Sequence, residues 1–256
     1  LNILFGNELE IKEKYHEAIT DQNTGLINSD ELLRELNHIQ IEAKVANSFF
    51  SLIMIDIERL KDINLELGFV AGNLVLSQTA RYLKRLYGGI YDIARYSNDE
   101  FVIVLRGVDQ NGARLEAEKL KKYLSNISVL GVGTVDYNFS FVTFPTHATS
   151  ISSLLTIFEQ AMLLSKSRGK SQVSGFDEVQ GAPKDRWQQL LAGAIPEIIL
   201  KKSNLKTGPE IIENINQYLD KQKYTYNADV LDSIQSLALA LDAKDSYTEG
   251  HSKRVS

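Results

Sequence analysis

Two carboxylates set the chemistry open to this sequence. Asp56 closes an apolar run, Phe49 to Ile57 (FFSLIMIDI), and Asp99 lies beside Glu100 in a polar Ser-Asn-Asp-Glu stretch. That stretch separates two strand-like runs, Tyr91 to Tyr96 and Phe101 to Leu105. A short apolar run rich in β-formers predicts a buried central strand. Two strand-like runs joined by a tight polar turn predict a hairpin. Neighbouring strands would then bring Asp56 and Asp99 together. Close carboxylates repel and need a cation, and a hard divalent ion, Mg²⁺ or Mn²⁺, is the natural one for a phosphate substrate. Taken alone, Asp56 reads more readily as a strand-end carboxylate held by solvent or a helix cap.

The elements that must hold these residues follow from periodicity. Residues 8 to 20 carry Ile11, Tyr15, Ala18 and Ile19 at helical spacing, a lead-in helix that either pairs with a second copy or caps the domain. Asp21 to Asn28 is turn-rich, and Ser29 reads as the N-cap of a helix carrying Leu32, Leu33 and Leu36. A turn of helix around Leu60 to Asn64 precedes a longer one from about Gly72 to Tyr87, with Leu74, Leu76, Ala80, Leu83 and Leu86 on its apolar side. Further on come an amphipathic helix from Ala113 to Leu124, a strand pair from Val129 to Pro145, a helix from Ile151 to Lys166 and a last short strand, Gln172 to Phe176. This mixture of hairpins and helices predicts an α+β fold, a mainly antiparallel central sheet flanked by helices.

A chain of 256 residues holds one domain of about 150 residues and further structure besides. The net charge of −5 argues against a nucleic-acid partner, since phosphate-backbone binding needs a basic face. There is no cysteine, which excludes disulfides and thiolate zinc sites. No apolar run approaches the roughly 20 residues of a membrane span and no secretory signal opens the chain, so a cytoplasmic location is expected. The sequence starts at Leu1 and stops at Ser256 within a patterned segment, which reads as a piece of a longer protein.

Four segments, in order, resemble the GGDEF family of diguanylate cyclases. Residues 21 to 28 (DQNTGLIN) are similar to D-x-L-T-G-L-x-N, and Ile55-Asp56-Ile57 with Lys61, Ile63 and Asn64 to I-D-I-D-x-F-K-x-I-N. Residues 95 to 101 (RYSNDEF) resemble R-Y-G-G-D-E-F, and Ala161, Lys166, Gly169 and Lys170 the closing A-D-x-A-x-Y-x-A-K-x-x-G-R. The resemblance implies a GGDEF/nucleotidyl-cyclase-like fold over residues 21–177. It implies that Asp56 and Asp99 bind Mg²⁺ with the backbone carbonyl of Ile57, and that Asp99 and Glu100 are the catalytic carboxylates if the domain is active. Backbone amides near Arg59, Leu60 and Lys61 would cradle a triphosphate, as a helix start is suited to do. Lys166 and Lys170 would be its cationic partners, though a solvated helix end is an equal reading of both lysines.

The departures shape the expected function. Ser97 and Asn98 stand where the signature has two glycines, which permit positive φ and close approach of substrate. Their side chains would enter space that the nucleotide takes in the family, so little or no cyclase activity is expected. The family reads guanine with an asparagine, matching Asn64, and with an aspartate where this chain has Asn73. An asparagine offers one acceptor and one donor where an aspartate offers two acceptors, which reads either as a guanine preference weakened and moved toward adenine or, equally well, as drift in a site no longer used. The inhibitory R-x-x-D of many members would fall at Gly88 and Tyr91, and neither matches, so feedback binding of cyclic di-GMP there is not expected.

Beyond Asp177, Gly181-Ala182-Pro183 reads as a joint and residues 178–228 as a helical linker. Residues 229–256 are similar to the opening of HD-GYP phosphodiesterase domains, with Asp245, Thr248, His251, Ser252, Arg254 and Val255 matching D-x-x-T-x-x-H-S-x-R-V. The later metal ligands of that family do not occur in this sequence, so the segment is expected not to hydrolyse cyclic dinucleotides by itself. Three readings stand: a regulatory module binding GTP or another purine nucleotide and tuning an attached HD-GYP domain, a working cyclase, or a structural dimerisation block. Catalysis in the family needs two facing domains, so a homodimer belongs with the second.

Overall fold

The computed structural model describes residues 14–180. Residues 14–19 are helical, the end of the expected lead-in helix. Residues 181–228 of the expected linker and the HD-GYP-like segment lie outside the described residues.

Five strands form the main sheet: β1 (Phe50–Ile57), β2 (Asp92–Arg95), β3 (Glu100–Arg106), β6 (Tyr137–Phe144) and β7 (Val173–Gly175), with a separate ribbon of β4 (Ser128–Val129) and β5 (Gly133–Thr134). The order is β2-β3-β1-β6-β7. β1 runs antiparallel to β3 and β6, β2 antiparallel to β3, and β6 parallel to β7. All eight residues of β1 are buried, as expected of an apolar run flanked on both edges and covered on both faces. The single strand pair expected over Val129 to Pro145 is instead a short ribbon followed by a long strand. Gly131, at φ 80°, turns the chain between the ribbon's two strands, and Gly133, at φ 93°, opens the second of them.

The helices are α1 (Ser29–Val45), α2 (Leu60–Leu67), α3 (Phe69–Tyr87), α4 (Gln110–Leu124), α5 (Ile151–Ser167) and α6 (Phe176–Gln180). Strand side chains alternate between faces. Ile53, Ile55 and Ile57 pack with Val75 and Leu83 of α3 and Ala117 and Leu120 of α4. Leu52 and Met54 pack with Leu36 and Ile39 of α1 and Phe158 and Met162 of α5. The result is a three-layer sandwich, and each fully buried aliphatic side chain contributes roughly 1.5–3 kcal/mol.

Two local details differ from the sequence expectation. The N-cap of α1 is Asn28, whose side chain accepts from the Glu31 amide at 2.9 Å; Ser29 is the first helical residue. α3 begins at Phe69, three residues before Gly72, because Gly68 at φ 84° breaks the helix and restarts it. Close packing on β7 gives a stability test. A Cβ on Gly175 would lie 2.4 Å from the Phe141 ring, and that ring is fully buried. Gly175→Ala is therefore expected to destabilise the fold by about 1–3 kcal/mol in urea denaturation, the usual range for overpacking.

Candidate functional site

Register brings the carboxylates together. Asp56 shares the sheet face of Leu52 and Met54, the face covered by α5. Its cross-strand neighbours are Glu100 on β3 and Asn138 on β6, and directly opposed residues point to the same side. Asp99 precedes Glu100 in the turn, and its carbonyl accepts the Ile57 amide at 3.0 Å. Among the described residues, one oxygen from each of Asp56, Asp99 and Glu100 lies within 4.8 Å of the others.

Lys166, in the last turn of α5, places its Nζ 2.6 Å from Asp56 Oδ2. Asp56 is only 2% exposed, and burial, opposed by Lys166 and reinforced by Asp99 and Glu100, pushes its pKa up from 3.8 to about 7. An ion pair therefore offsets only part of the penalty of holding this charge out of water.

The turn carrying Ser97 and Asn98 is fastened from two sides. The Ser97 hydroxyl donates to Glu100 Oε2 and, at 3.4 Å, to Asp99 Oδ1. Arg95 donates to the carbonyls of Ser97 at 3.1 Å and Asn98 at 2.6 Å. Arg95 is steadied by Asp21 at 3.4 Å, and Asp21 accepts from the amide and hydroxyl of Thr24 at 2.9 Å and 2.7 Å. Sequence reading named these residues as motif letters without seeing that they form one clamp. Asn138, also missed, touches both flanks of the site: it donates to Glu58 and accepts the Gln172 amide at 2.9 Å.

The other candidate residues fall nearby in the chain's topology. Arg59 sits at φ 56° before α2, and its Nε donates to Asp62 at 2.6 Å. Lys170 pairs with Asp136 at 2.9 Å. Arg59, Asp62, Asp136 and Lys170 line one cleft. The side chains of Leu60 and Ile57 are buried in the core, so each can offer only backbone groups, as expected. Lys61 is exposed at the start of α2. Asn64 lies against Gly72, where a Cβ would come within 1.9 Å of Asn64 Oδ1. The neighbouring Asn73 accepts from Asn23 Nδ2 at 3.2 Å. Hard oxygen ligands set close together, one of them buried and short of positive charge, suit a divalent cation.

Residues 18–172, more than half of the chain, match the family described as "Diguanylate cyclase, GGDEF domain". The chain belongs to the GGDEF family. It is 28% identical over 134 residues to Diguanylate cyclase A of Treponema denticola, covering 48% of this chain and 34% of that protein. It is 29% identical over 174 residues to an uncharacterised membrane protein of Staphylococcus haemolyticus, covering 64% of this chain and 46% of the other. The chain thus spans between a third and a half of the length of these curated relatives. The GGDEF domain of DgcB from Caulobacter crescentus, solved with c-di-GMP, superposes with a TM-score of 0.55 at 22% identity, over 62% of this chain and 93% of that one. The active GGEEF domain of a diguanylate cyclase from Vibrio cholerae gives 0.53 at 22%, over 59% and 97%. The three-layer sandwich is the GGDEF fold. Membership ties the chain to cyclic di-GMP signalling, and GGDEF cyclases generally use Mg²⁺. No helix among the described residues is long and apolar enough to cross a membrane.

Proposed function

We propose that this GGDEF domain is a purine-nucleotide-binding regulatory module with little or no cyclase turnover, acting in the cytoplasm on an attached HD-GYP phosphodiesterase. The observation that carries the reading is the pairing of a retained carboxylate cluster, Asp56, Asp99 and Glu100, with a Ser97 hydroxyl fastened to two of its members. Asp56 and Asp99, with the Ile57 carbonyl, would hold Mg²⁺, and Glu100 would assist. When bound, the cation neutralises phosphate charge and polarises the phosphoryl oxygens. The amides of Arg59, Leu60 and Lys61 receive the phosphates at the start of α2, with Lys166 and Lys170 as cationic partners. Asn64 and Asn73 face the base. Ser97 and Asn98 occupy the approach that two glycines leave open, and a displacement of about 1 Å at a reacting group can lower a rate a hundredfold.

The intact Asp-Glu-Phe of the signature favours a second reading, a working cyclase assembled as a homodimer. Calorimetric titration with GTP and ATP in Mg²⁺, followed by chromatography of the mixture, separates the two. Nucleotide binding without a cyclic product supports the regulatory module. Cyclic dinucleotide formation makes the chain an enzyme, and no binding at millimolar nucleotide leaves only a structural role. A further expectation concerns the corner beneath Asn64. Gly72→Ala should push the Asn64 amide aside and weaken nucleotide binding about tenfold, the worth of one hydrogen bond, with little change in melting temperature.

A further inference from the structure

The carboxylate cluster has a cation of the chain's own beside it. Lys166 Nζ lies 2.6 Å from Asp56 Oδ2, the short contact of a charge-assisted hydrogen bond. The other side of the cluster is engaged by the Ser97 hydroxyl, on Glu100 and Asp99. The lysine does not reach Asp56 from a loose end of chain. It sits in the last turn of α5, and Arg168, which caps that helix, is pinned in its turn. Arg168 donates to the Ser174 hydroxyl at 3.2 Å and to Glu178 of α6. The backbone thus delivers Lys166 to a fixed point, from which its flexible four-carbon stem spans the gap to a buried partner. The lysine side chain is itself 36% exposed. Its ammonium can therefore swing out to water through its own torsions while the helix stays in place.

We propose that Lys166 is a built-in competitor for the divalent cation: its ammonium stands on Asp56 and must swing away before the cluster takes Mg²⁺. The inference rests on the reading of Asp56, Asp99 and Glu100 as a cation site. One oxygen from each lies within 4.8 Å of the others, so an ion held by all three sits close to Asp56. Even on opposite oxygens of that carboxylate, ammonium and metal ion would fall within the roughly 4–6 Å at which like charges disfavour each other. The free ion must therefore displace Lys166 into water, and its affinity is lowered by that exchange. A ligand that carries the metal ion together with phosphate oxygens escapes the penalty. One cation enters the cluster as the other is drawn outward onto the phosphate. The same lysine that weakens binding of the bare ion thus makes metal and phosphate bind as one.

The test is titration of the chain with Mn²⁺ alone, the free ion followed by its electron paramagnetic resonance signal, and repeated on Lys166→Met and Lys166→Arg. Lys166→Met keeps the stem and removes the charge, and should bind Mn²⁺ about tenfold more tightly than the unaltered chain. Lys166→Arg keeps the charge and should bind as weakly as the unaltered chain. The gain should vanish when Lys166→Met is combined with Asp56→Asn; a gain that survives lies elsewhere on the protein and overturns the inference. Equal Mn²⁺ affinity in Lys166→Met and the unaltered chain overturns it too, and leaves the cation site standing. No Mn²⁺ binding in any of these proteins overturns the inference and the cation-site reading together. If Lys166→Met does not fold, Lys166→Gln, which lacks the charge but can still donate to Asp56, takes its place with the same expected gain.

Discussion

Asp56→Asn is expected to weaken Mg²⁺-dependent nucleotide binding at least a hundredfold while making the protein more stable. Loss of binding follows from removing the buried ligand of the carboxylate cluster. Greater stability follows from the direction of its pKa, raised on folding from 3.8 to about 7. Between these values the folded chain holds a proton that the unfolded chain has released. Stability contributed here is thus greatest below pH 3.8, falls as pH rises toward 7, and stays low above it. At full ionisation the difference amounts to about 4 kcal/mol. Asparagine carries no charge at any pH, and Lys166, 36% exposed, can turn to solvent when its partner is neutral. Thermal melts at pH 8 should show the variant at least about 5 °C higher, with the gap closing as pH is lowered. Equal melting temperatures at pH 8 would mean that the cluster is not strained by its own charge. Chelating Mg²⁺ should reduce nucleotide binding in the unaltered chain toward the level of the variant.

The second large effect is a gain. Ser97→Gly combined with Asn98→Gly is expected to raise cyclic dinucleotide formation about a hundredfold, measured by chromatography after incubation with nucleotide and Mg²⁺. Removing the Ser97 hydroxyl frees Glu100 and Asp99 from the hydrogen bonds that now engage them. Removing both side chains reopens the approach to the turn backbone. The turn should hold its course, because Arg95 grips its carbonyls rather than its side chains. Nucleotide binding with no product in the double variant would show that the block to turnover lies elsewhere than in these two residues.

Much of this site was legible because its chemistry sits on strongly patterned elements. The run from Phe49 to Ile57 announces a buried strand, and the polar turn before Phe101 announces a hairpin, so the meeting of Asp56 with Asp99 follows from local signals. Helix phase likewise puts Lys166 at the end of α5. What stayed hidden depends on pairings between distant segments. Asn138 becomes the neighbour of Asp56 only through the register of β1 with β6, which no local pattern records. The Asp21–Arg95 contact and the Asn23–Asn73 contact join loops whose mutual approach is set by the packing of whole helices on the sheet. The restart of the chain at Gly68 was misplaced for a smaller reason. Two helices are expected there, but the second from Gly72, where its apolar stripe begins, rather than from Phe69 directly after the positive φ of Gly68.

The rung that joins Glu100, Asp56 and Asn138 across three strands ties the site to the hydrophobic core. Sliding β1 by one residue would turn Asp56 to the opposite face, and would do the same to Leu52 and Met54. The carboxylates are thus tied to the core by strand register, whereas the turn at positions 97 and 98 is held through its carbonyls by Arg95. On the proposed reading, turnover and ligand capture therefore rest on separate parts of one architecture: the first on a short turn, the second on a rung of the core sheet that cannot shift without unmaking the fold.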